Sequence, residues 1–371
     1  MVFRVGMAAA GVVGAIAMAG TALAAPGGTR AADRAVTRSL AALVAQPDGP
    51  PGAYVLVNRD GHVRGYPAGR TQVGGTARPG SGRRMRIASL TKALTAATAY
   101  ALIAEGRLSL DSTVGEVLPS QPAAWHAVTL RQLLSHTGGV PDFARSPLFA
   151  RAVATHPRRP PAPATLVGYV AREPLDFAPG SKYRYTNSGP ILTGLMIEAV
   201  SGEPYGQLLG QRVLVPMGLG ATELPLTAAV PAPTLRGYAW GDGHPVDVTT
   251  AVAFGGWGWA SGGIVSTPSD VSRFVRRYIP TVPDTAFVPG ASSPRGPGTN
   301  AAGPGLFRYT TRCGVVYGHT GSILGYTQFM AATRDGTRSA VVSMSTQVTP
   351  ELLGPLRITF DAAVCAALAP A

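Results

Sequence analysis

Two short apolar runs early in the chain surround a polar turn. Residues 53–57 and 62–66 flank Asn58-Arg59-Asp60-Gly61. An Asp-Gly pair between two apolar runs is typical of the tight turn of a β-hairpin. We therefore expect a β-hairpin over this segment.

The same pattern returns near the end of the chain. Residues 326–345 form two apolar runs around a second Asp-Gly turn, and an apolar segment at 315–317 precedes them. The last stretch, residues 351–368, has helical periodicity instead. We predict that early and late strands share one antiparallel sheet, which is covered by this terminal helix and by a helix that begins at Ser89.

The middle of the chain has a different pattern. Leu130–Leu134 and residues 191–200 and 205–214 predict short helices between loops rich in proline and glycine. Residues 281–305 are mostly proline, glycine, alanine and serine, which predicts a long surface loop.

These patterns together predict an α/β (α+β) fold with two parts. Residues 33–108 and 260–371 form a domain in which helices flank the antiparallel sheet, and residues 109–259 form a mostly helical insertion.

The start of the chain predicts export. Arg4 is followed by an uncharged apolar stretch and by Ala22-Leu23-Ala24, the small-x-small pattern of a cleavage site. Residues 1–24 are therefore interpreted as a signal peptide, with an uncleaved membrane anchor as the alternative. The mature protein is expected outside the cytoplasm.

Composition narrows the class of protein. Apolar residues make up 46% and charged residues 14% of the chain, as in a folded enzyme rather than a disordered segment. The net charge of +13 comes from scattered arginines, which argues against nucleic-acid binding. Association with an anionic cell wall and arginine-rich codon bias both explain this charge. Two cysteines, Cys313 and Cys365, predict one disulfide in an exported chain, with two buried free thiols as the alternative.

Lysine is rare in this chain, which has 30 arginines and two lysines. Arginine stays protonated in proteins, whereas burial can turn lysine into a base. One lysine, Lys92, follows Ser89 by three residues, and positions i and i+3 share one helix face. The pair has two interpretations: a nucleophile with its base, or an N-cap serine followed by an exposed lysine.

Three motifs follow one another in the order Ser-x-x-Lys, Tyr-x-Asn and His-Thr-Gly. They are Ser89 to Lys92, Tyr185 to Asn187, and His319 to Gly321. This order resembles the penicillin-recognising serine hydrolases, most of all the secreted D-alanyl-D-alanine carboxypeptidases and then the class C β-lactamases. Residues 133–142 and 262–270 also resemble landmarks of that family, and the likeness covers roughly residues 50 to 365.

The resemblance implies a β-lactamase/transpeptidase-like fold and a role for each motif. Ser89 is the nucleophile, and either Lys92 or Tyr185 is the first base. His319 shapes the electrostatics beside Tyr185. The resemblance implies that the substrate-binding residues are Asn187, Thr320, Gly321 and Ser322, with the N–H groups of Ser89 and Ser322 as the oxyanion hole, and that Phe149 and Trp257 are either aromatic pocket walls or core residues.

Three further observations restrict the candidate site residues, the cofactors and the substrates. His136 follows a serine directly, but adjacent helical residues point apart, so we interpret it as structural. No spacing of histidine, cysteine or carboxylate residues indicates a metal site, and no cofactor is expected. The carboxypeptidases hold the terminal carboxylate with an arginine, where this chain has Phe307, with Arg308 one place away.

We therefore predict an exported serine hydrolase that forms an acyl-enzyme on Ser89 and acts on D-alanyl-D-alanine peptides of the cell-wall type. β-Lactams are expected as covalent ligands, and the protein is expected to be a monomer. The alternatives are an esterase or β-lactamase on the same scaffold, and a catalytically silent protein that binds the cell wall.

Overall fold

A central antiparallel sheet organises the computed structural model, which describes residues 28–288 and 296–370. The predicted signal peptide, residues 1–24, lies outside the described residues. The described strands are β1 (Gly52–Arg59), β2 (His62–Gly69), β3 (Met85–Arg86), β4 (Tyr238–Gly241), β5 (His244–Asp247), β6 (Val265–Ser266), β7 (Thr299–Gly303), β8 (Leu306–Thr311), β9 (Gly314–Ile323), β10 (Tyr326–Ala332) and β11 (Arg338–Met344).

Seven of these strands form the sheet in the order β2-β1-β11-β10-β9-β8-β7 within the described part of the chain. All neighbouring pairs are antiparallel. Both predicted hairpins are confirmed, as β1–β2 and β10–β11, and early and late strands do share one sheet. The short pairs β3–β6 and β4–β5 lie outside it.

Helices cover both faces of the sheet and fill the middle of the chain. Their bounds are α1 (Thr29–Val44), α2 (Thr91–Ala104), α3 (Val114–Val117), α4 (Leu130–Leu134), α5 (Pro147–Thr155), α6 (Pro163–Gly168), α7 (Ser188–Ser201), α8 (Tyr205–Leu209), α9 (Phe254–Trp257), α10 (Trp259–Gly262), α11 (Pro268–Tyr278) and α12 (Pro350–Leu368). The predicted insertion is mostly helical, and its division from the sheet domain stays a prediction. Across the described residues, none of the helices combines the length and the hydrophobicity that crossing a bilayer requires.

Alternation along β1 separates two hydrophobic cores. Ala53, Val55 and Val57 pack on the outer face with α1 and α12, while Tyr54 and Leu56 pack on the inner face. Strand side chains alternate between faces, so a strand buried on both sides is apolar throughout. The site described below lies on the inner side of the sheet.

One predicted covering helix is in a different place. The terminal helix α12 packs on the sheet as expected, but α2 packs mainly on α7 and α10. The inner face is covered instead by α11 and by the single 3₁₀ turn Ala88–Leu90. The α-helix begins at Thr91, two residues later than predicted, and nearly all of its faces are buried in the helical region.

The predicted loop at residues 281–305 contains the edge strand β7, so that part of the prediction is wrong. β7 pairs with β8 from Thr299–Thr310 to Gly303–Leu306. Its small residues have low strand propensity, and pairing with β8 determines its conformation. The predicted disulfide joins Cys313, in the β8–β9 turn, to Cys365 of α12.

Candidate active site

Ser89 lies in the turn that precedes α2, directly against strand β9. Ala88 has φ +51°, in the left-handed region that alanine rarely adopts. A Cβ added at Gly321 would lie 2.6 Å from the carbonyl oxygen of Ile87 and 3.1 Å from the Cβ of Ala88. Glycine at 321 therefore allows β9 to pass close to the turn that presents Ser89.

Lys92 occupies the centre of the site, and its side chain is almost fully buried, at 2% exposure. Its Nζ lies 3.2 Å from Ser89 Oγ. It also lies 2.8 Å from Asn187 Oδ1 and 2.8 Å from the backbone oxygen of Ser261. The predicted contact between Ser89 and Lys92 is therefore present, and the interpretation of Lys92 as an exposed helix residue is wrong.

These three contacts orient Lys92 as a proton acceptor when the amine is neutral. The oxygens of Asn187 and Ser261 have no proton, so they can only accept. A neutral amine has two hydrogens and one lone pair. When the two carbonyl oxygens accept both hydrogens, the lone pair faces Ser89 Oγ, which becomes the donor. Lys92 is thus oriented as a base toward the serine hydroxyl.

The environment of Lys92 favours its neutral form. Burial lowers the pKa of Lys92 from 10.5 to about 7, while the more distant carboxylate of Asp142 acts in the opposite direction. A base is most effective when its pKa is close to the working pH. The site therefore contains an amine that is substantially neutral near pH 7.

Tyr185 lies between Lys92 and two histidine rings. Its ring centroid is 4.9 Å from Lys92 Nζ, 6.1 Å from the His319 ring and 4.5 Å from the His136 ring. The predicted grouping of Tyr185 with Lys92 and His319 is therefore present. His136, interpreted as structural from the sequence, packs directly on the Tyr185 ring and has φ +59°.

His319 is neutral in this site. Burial and then the nearby charge of Lys92 lower the pKa of His319 to about 3. Its Nδ1 is hydrogen-bonded to the backbone oxygen of Thr320, which places the proton on Nδ1. Among the described residues Nε2 has no hydrogen-bond partner, and it is left as an acceptor. The ring of Phe307 packs 5.0 Å from that of His319.

The His-Thr-Gly segment lies where β9 is paired on one side. The register between β8 and β9 ends at Phe307–Gly318, whereas β10 pairs with β9 as far as Ile323. Residues 319–323 therefore have one strand edge beyond the β8 register, toward Ser89. An extended peptide can add to such an edge through main-chain hydrogen bonds. The proposed roles of Thr320 and Ser322 in binding stay predictions.

Phe149 and Trp257 belong to an aromatic cluster in the helical region. Their ring centroids are 5.7 Å apart, and Phe149 also contacts Phe143 and Tyr169. The Trp257 indole donates to the backbone oxygen of Pro157 at 3.1 Å, and its side chain is buried. These contacts suit core residues, and a role as pocket walls stays a prediction.

Sequence reasoning assigned no role to Asp142, which contacts Asn187 three times. Its Oδ1 accepts from Asn187 N at 3.0 Å and from Nδ2 at 3.2 Å, and its Oδ2 accepts from Nδ2 at 3.2 Å. The only signal was its place at the end of the motif Ser-His-Thr-Gly-Gly-Val-Pro-Asp, 45 residues before Asn187.

Phe307 and Arg308, which lie where the carboxypeptidases have their carboxylate-binding arginine, project from opposite faces of β8. Phe307 is buried in the outer core beside His319. Arg308 points to the other side of β8, where its guanidinium donates to Thr310 Oγ1 at 3.2 Å in an exposed position. Within residues 28–288 and 296–370, no group of three or more histidine, cysteine or carboxylate side chains could hold a metal ion.

The chain resembles known proteins over most of its length. A family profile described as Beta-lactamase matches residues 40–366. The structure of a D-stereospecific amidohydrolase from Streptomyces sp. superposes with a TM-score of 0.77 at 29% identity, over 90% of this chain and 98% of that one. The D-amino acid amidase from Ochrobactrum anthropi SV3 gives a TM-score of 0.75 at 23% identity, over 89% and 98% of the two chains, which shows a shared fold.

Curated relatives match over a shorter region. D-alanyl-D-alanine-carboxypeptidase/endopeptidase AmpH of Escherichia coli (strain K12) is 28% identical over 229 residues, which is 60% of this chain and 56% of AmpH. The chain thus spans about half the length of the curated relatives it matches.

Proposed function

The chain belongs to the β-lactamase family of serine hydrolases, and we propose that it hydrolyses amide bonds of D-amino-acid peptides or amides through an acyl-enzyme on Ser89. The observation that carries this proposal is the geometry of Lys92, whose two short bonds to carbonyl oxygens leave its lone pair for Ser89. The similarity to a D-stereospecific amidohydrolase and to AmpH supports the choice of D-configured substrates.

The reaction follows from this arrangement. Ser89 Oγ transfers its proton to Lys92 Nζ and attacks the substrate carbonyl carbon, and the N–H groups of Ser89 and Ser322 hold the oxyanion. The C–N bond then breaks, and the leaving amine takes the proton from Lys92, either directly or through Tyr185. Neutral His319 favours relay through Tyr185, because it offers an acceptor without adding a positive charge. Water finally releases the acyl group by the same steps in reverse.

Two substrate types remain within this proposal. A D-alanyl-D-alanine carboxypeptidase needs a group that holds the terminal carboxylate. Phe307 occupies the expected position, buried and apolar, so we favour substrates with a neutral leaving group, such as amides and internal peptide bonds. A D-alanyl-D-alanine peptide with a free carboxylate and its C-terminal amide distinguish the two types. We expect a higher kcat/KM for the amide, and L-configured versions of both serve as stereochemical controls.

Covalent labelling tests the nucleophile. A fluorescent penicillin should label the wild type and leave Ser89→Ala unlabelled, because only Oγ can form the acyl bond. Equal labelling of both proteins would refute the assignment. Rapid turnover of a chromogenic cephalosporin would instead favour a β-lactamase, and cleavage of p-nitrophenyl esters alone would favour an esterase.

We also propose that the protein acts outside the cytoplasm as a monomer and meets peptides of the cell wall. The signal-like pattern in residues 1–24 and the Cys313–Cys365 disulfide support this location. Fusion of residues 1–35 to a reporter that is active only after export tests it. A reporter that stays inactive would contradict export.

A further inference from the structure

We infer that Asp142 is a positioning residue for acyl transfer, because its contacts with Asn187 hold the amide oxygen of Asn187 toward Lys92 and so direct the Lys92 lone pair at Ser89. This inference rests on the proposed function of Ser89 and Lys92 and deepens it. It concerns a residue that touches neither the nucleophile nor the base and acts through a third side chain.

The donors and acceptors around Asp142 determine the orientation of the Asn187 amide. An amide side chain has an oxygen that accepts and an NH₂ group that donates. Asp142 Oδ1 already accepts from Ala144 N at 3.2 Å and from Asn187 N at 3.0 Å, as a carboxylate does. The Asn187 NH₂ group lies 3.2 Å from both carboxylate oxygens, which can only accept. Its oxygen must therefore face Lys92 Nζ, at 2.8 Å.

The orientation of the Asn187 amide determines where the lone pair of Lys92 points. If the Asn187 amide turned over, its NH₂ group would face Lys92, and a neutral amine would offer that NH₂ group its lone pair. One hydrogen of Lys92 would then point at Ser89, and proton transfer from the hydroxyl would lose its acceptor. The carboxylate of Asp142 prevents this rotation, because the turned amide would place an oxygen against two acceptor oxygens. A buried side chain at 10% exposure makes this penalty large.

The charge of Asp142 also affects the pKa of Lys92. The titratable groups around Lys92 are Tyr185, His136, His319 and Asp142, and among them the carboxylate of Asp142 supports the charged amine. Burial lowers the pKa values of both histidines, so neither adds a positive charge near pH 7. Removing the Asp142 charge should therefore lower the pKa of Lys92, while turning its lone pair away from Ser89.

The lower pKa of Lys92 and the turned lone pair have opposite effects on acylation. Measuring both therefore separates an electrostatic role of Asp142 from a positioning role. A lower pKa alone would leave more neutral amine at pH 7 and would not slow acylation. Loss of the lone-pair direction slows acylation even at pH 9, where Lys92 is neutral in every variant. A slower reaction together with a lower pKa of Lys92 is therefore the signature of positioning, which loss of folding stability does not produce.

The test uses Asp142→Asn, which keeps the side-chain shape and the Oδ1 acceptor for Ala144 N but places an NH₂ group where Oδ2 accepted from the Asn187 NH₂ group. Asp142→Ser keeps an acceptor for the same N–H group and is used if the first variant folds poorly. Asp111→Asn is the matched control, because it removes one negative charge from an exposed pair with Arg131. Acylation by fluorescent penicillin at pH 9 should fall about 10- to 100-fold in the Asp142 variants and stay unchanged in Asp111→Asn.

The pKa of Lys92 can be measured by NMR without any enzymatic activity. With two lysines in the chain, lysine labelled with ¹³C at Cε gives two NMR signals, and Lys182→Arg identifies the exposed one. The pKa of Lys92 should fall by about 0.5 to 1 unit in Asp142→Asn, with no change at Lys182. An unchanged acylation rate at pH 9, or an unchanged pKa of Lys92, would overturn the inference. Failure of the wild type to acylate at Ser89 would instead refute the proposed function, and the NMR titration would still test Asp142.

Discussion

Two buried ionisable side chains lie on opposite faces of the sheet, and their partners differ in kind. On the outer face, Asp33 of α1 is 5% exposed and contacts two arginines and a phenol. On the inner face, Lys92 is 2% exposed, and its hydrogen-bond partners are a hydroxyl, an amide oxygen and a backbone oxygen. Both groups are equally hidden from water, so the partners determine what each group does.

Full pairing makes the outer group structural. Asp33 Oδ1 accepts from Arg59 Nη2 at 2.9 Å and also from the Tyr66 hydroxyl, and Oδ2 accepts from Arg64. These bonds join α1 to β1 and β2. Burial and then Asp33 raise the pKa of Tyr66, so the phenol stays a donor. Each oxygen of the buried Asp33 carboxylate therefore has a positively charged partner.

Neutral partners make the inner group reactive. Asn187 and Ser261 offer Lys92 good hydrogen bonds without a compensating negative charge. Burial therefore outweighs the opposing charge of Asp142, and the pKa of Lys92 falls to about 7. The inner site thus gives up stability for a group that can change protonation state.

The largest expected effect comes from removing the inner charge. Lys92→Met keeps the length of the side chain and removes the base, so acylation of Ser89 should fall at least about 1,000-fold. The same change should not reduce the free energy of unfolding at pH 6, because a buried amine is replaced by an apolar group. Acylation rates and urea unfolding of the two proteins measure both expectations. A strongly destabilised Lys92→Met that unfolds at much lower urea would break the comparison.

The difference in unfolding free energy between the wild type and Lys92→Met should depend on pH, and this dependence is the control for the previous prediction. Because the pKa of Lys92 is about 7 in the folded protein and 10.5 for free lysine, the unfolded chain binds more protons between these values. The stability of the wild type relative to Lys92→Met should therefore rise as pH increases from 7 to 10.5, by about 5 kcal/mol in the limit. It should be constant below pH 7. A difference that does not change with pH would mean that the amine is not desolvated.

The next effect comes from breaking the outer cluster. Asp33→Asn leaves Arg59 without a counterion at 11% side-chain exposure, and should reduce the free energy of unfolding by about 3 kcal/mol. Acylation of Ser89 by folded enzyme should not change. Asp111→Asn, which breaks an exposed pair with Arg131, should change stability by less than about 1 kcal/mol. If folded Asp33→Asn lost acylation of Ser89, the outer cluster and the inner site would be coupled through the sheet.

Sequence reasoning succeeded where one local pattern determined the outcome. The two Asp-Gly hairpins, the terminal helix and the Ser89–Lys92 contact each depend on short-range spacing, and all are present. It failed where tertiary pairing decided. Strand β7 has mostly residues of low strand propensity, and its pairing with β8 defines it.

The inner site also depends on contacts that no spacing reveals. Asp142 and Asn187 are 45 residues apart, and Lys92 and Ser261 are 169 residues apart. The sequence motif identified Lys92 as a candidate base, but it did not indicate which two oxygens orient the lone pair of this amine. The same limit applies to His136, whose ring contact with Tyr185 depends on a left-handed backbone that sequence does not require.

The smallest effect concerns the backbone beside Ser89. Ala88 has φ +51°, a conformation in which alanine is strained, so Ala88→Gly should raise the free energy of unfolding by up to about 1 kcal/mol. Greater freedom of the turn should at the same time slow acylation several-fold, because Ser89 spends less time against Lys92.

Asp48, in the exposed turn after α1, has φ +55° and provides the matched control. Aspartate tolerates the left-handed region better than alanine does, so Asp48→Gly should change stability less, and acylation should not change. Urea unfolding and penicillin acylation of both variants give the comparison. If Ala88→Gly gains stability with no loss of rate, the strain is incidental, and the inner site depends only on the partners of Lys92. If it gains stability and loses rate while Asp48→Gly keeps its rate, backbone strain is a second respect in which the inner face favours reactivity over stability.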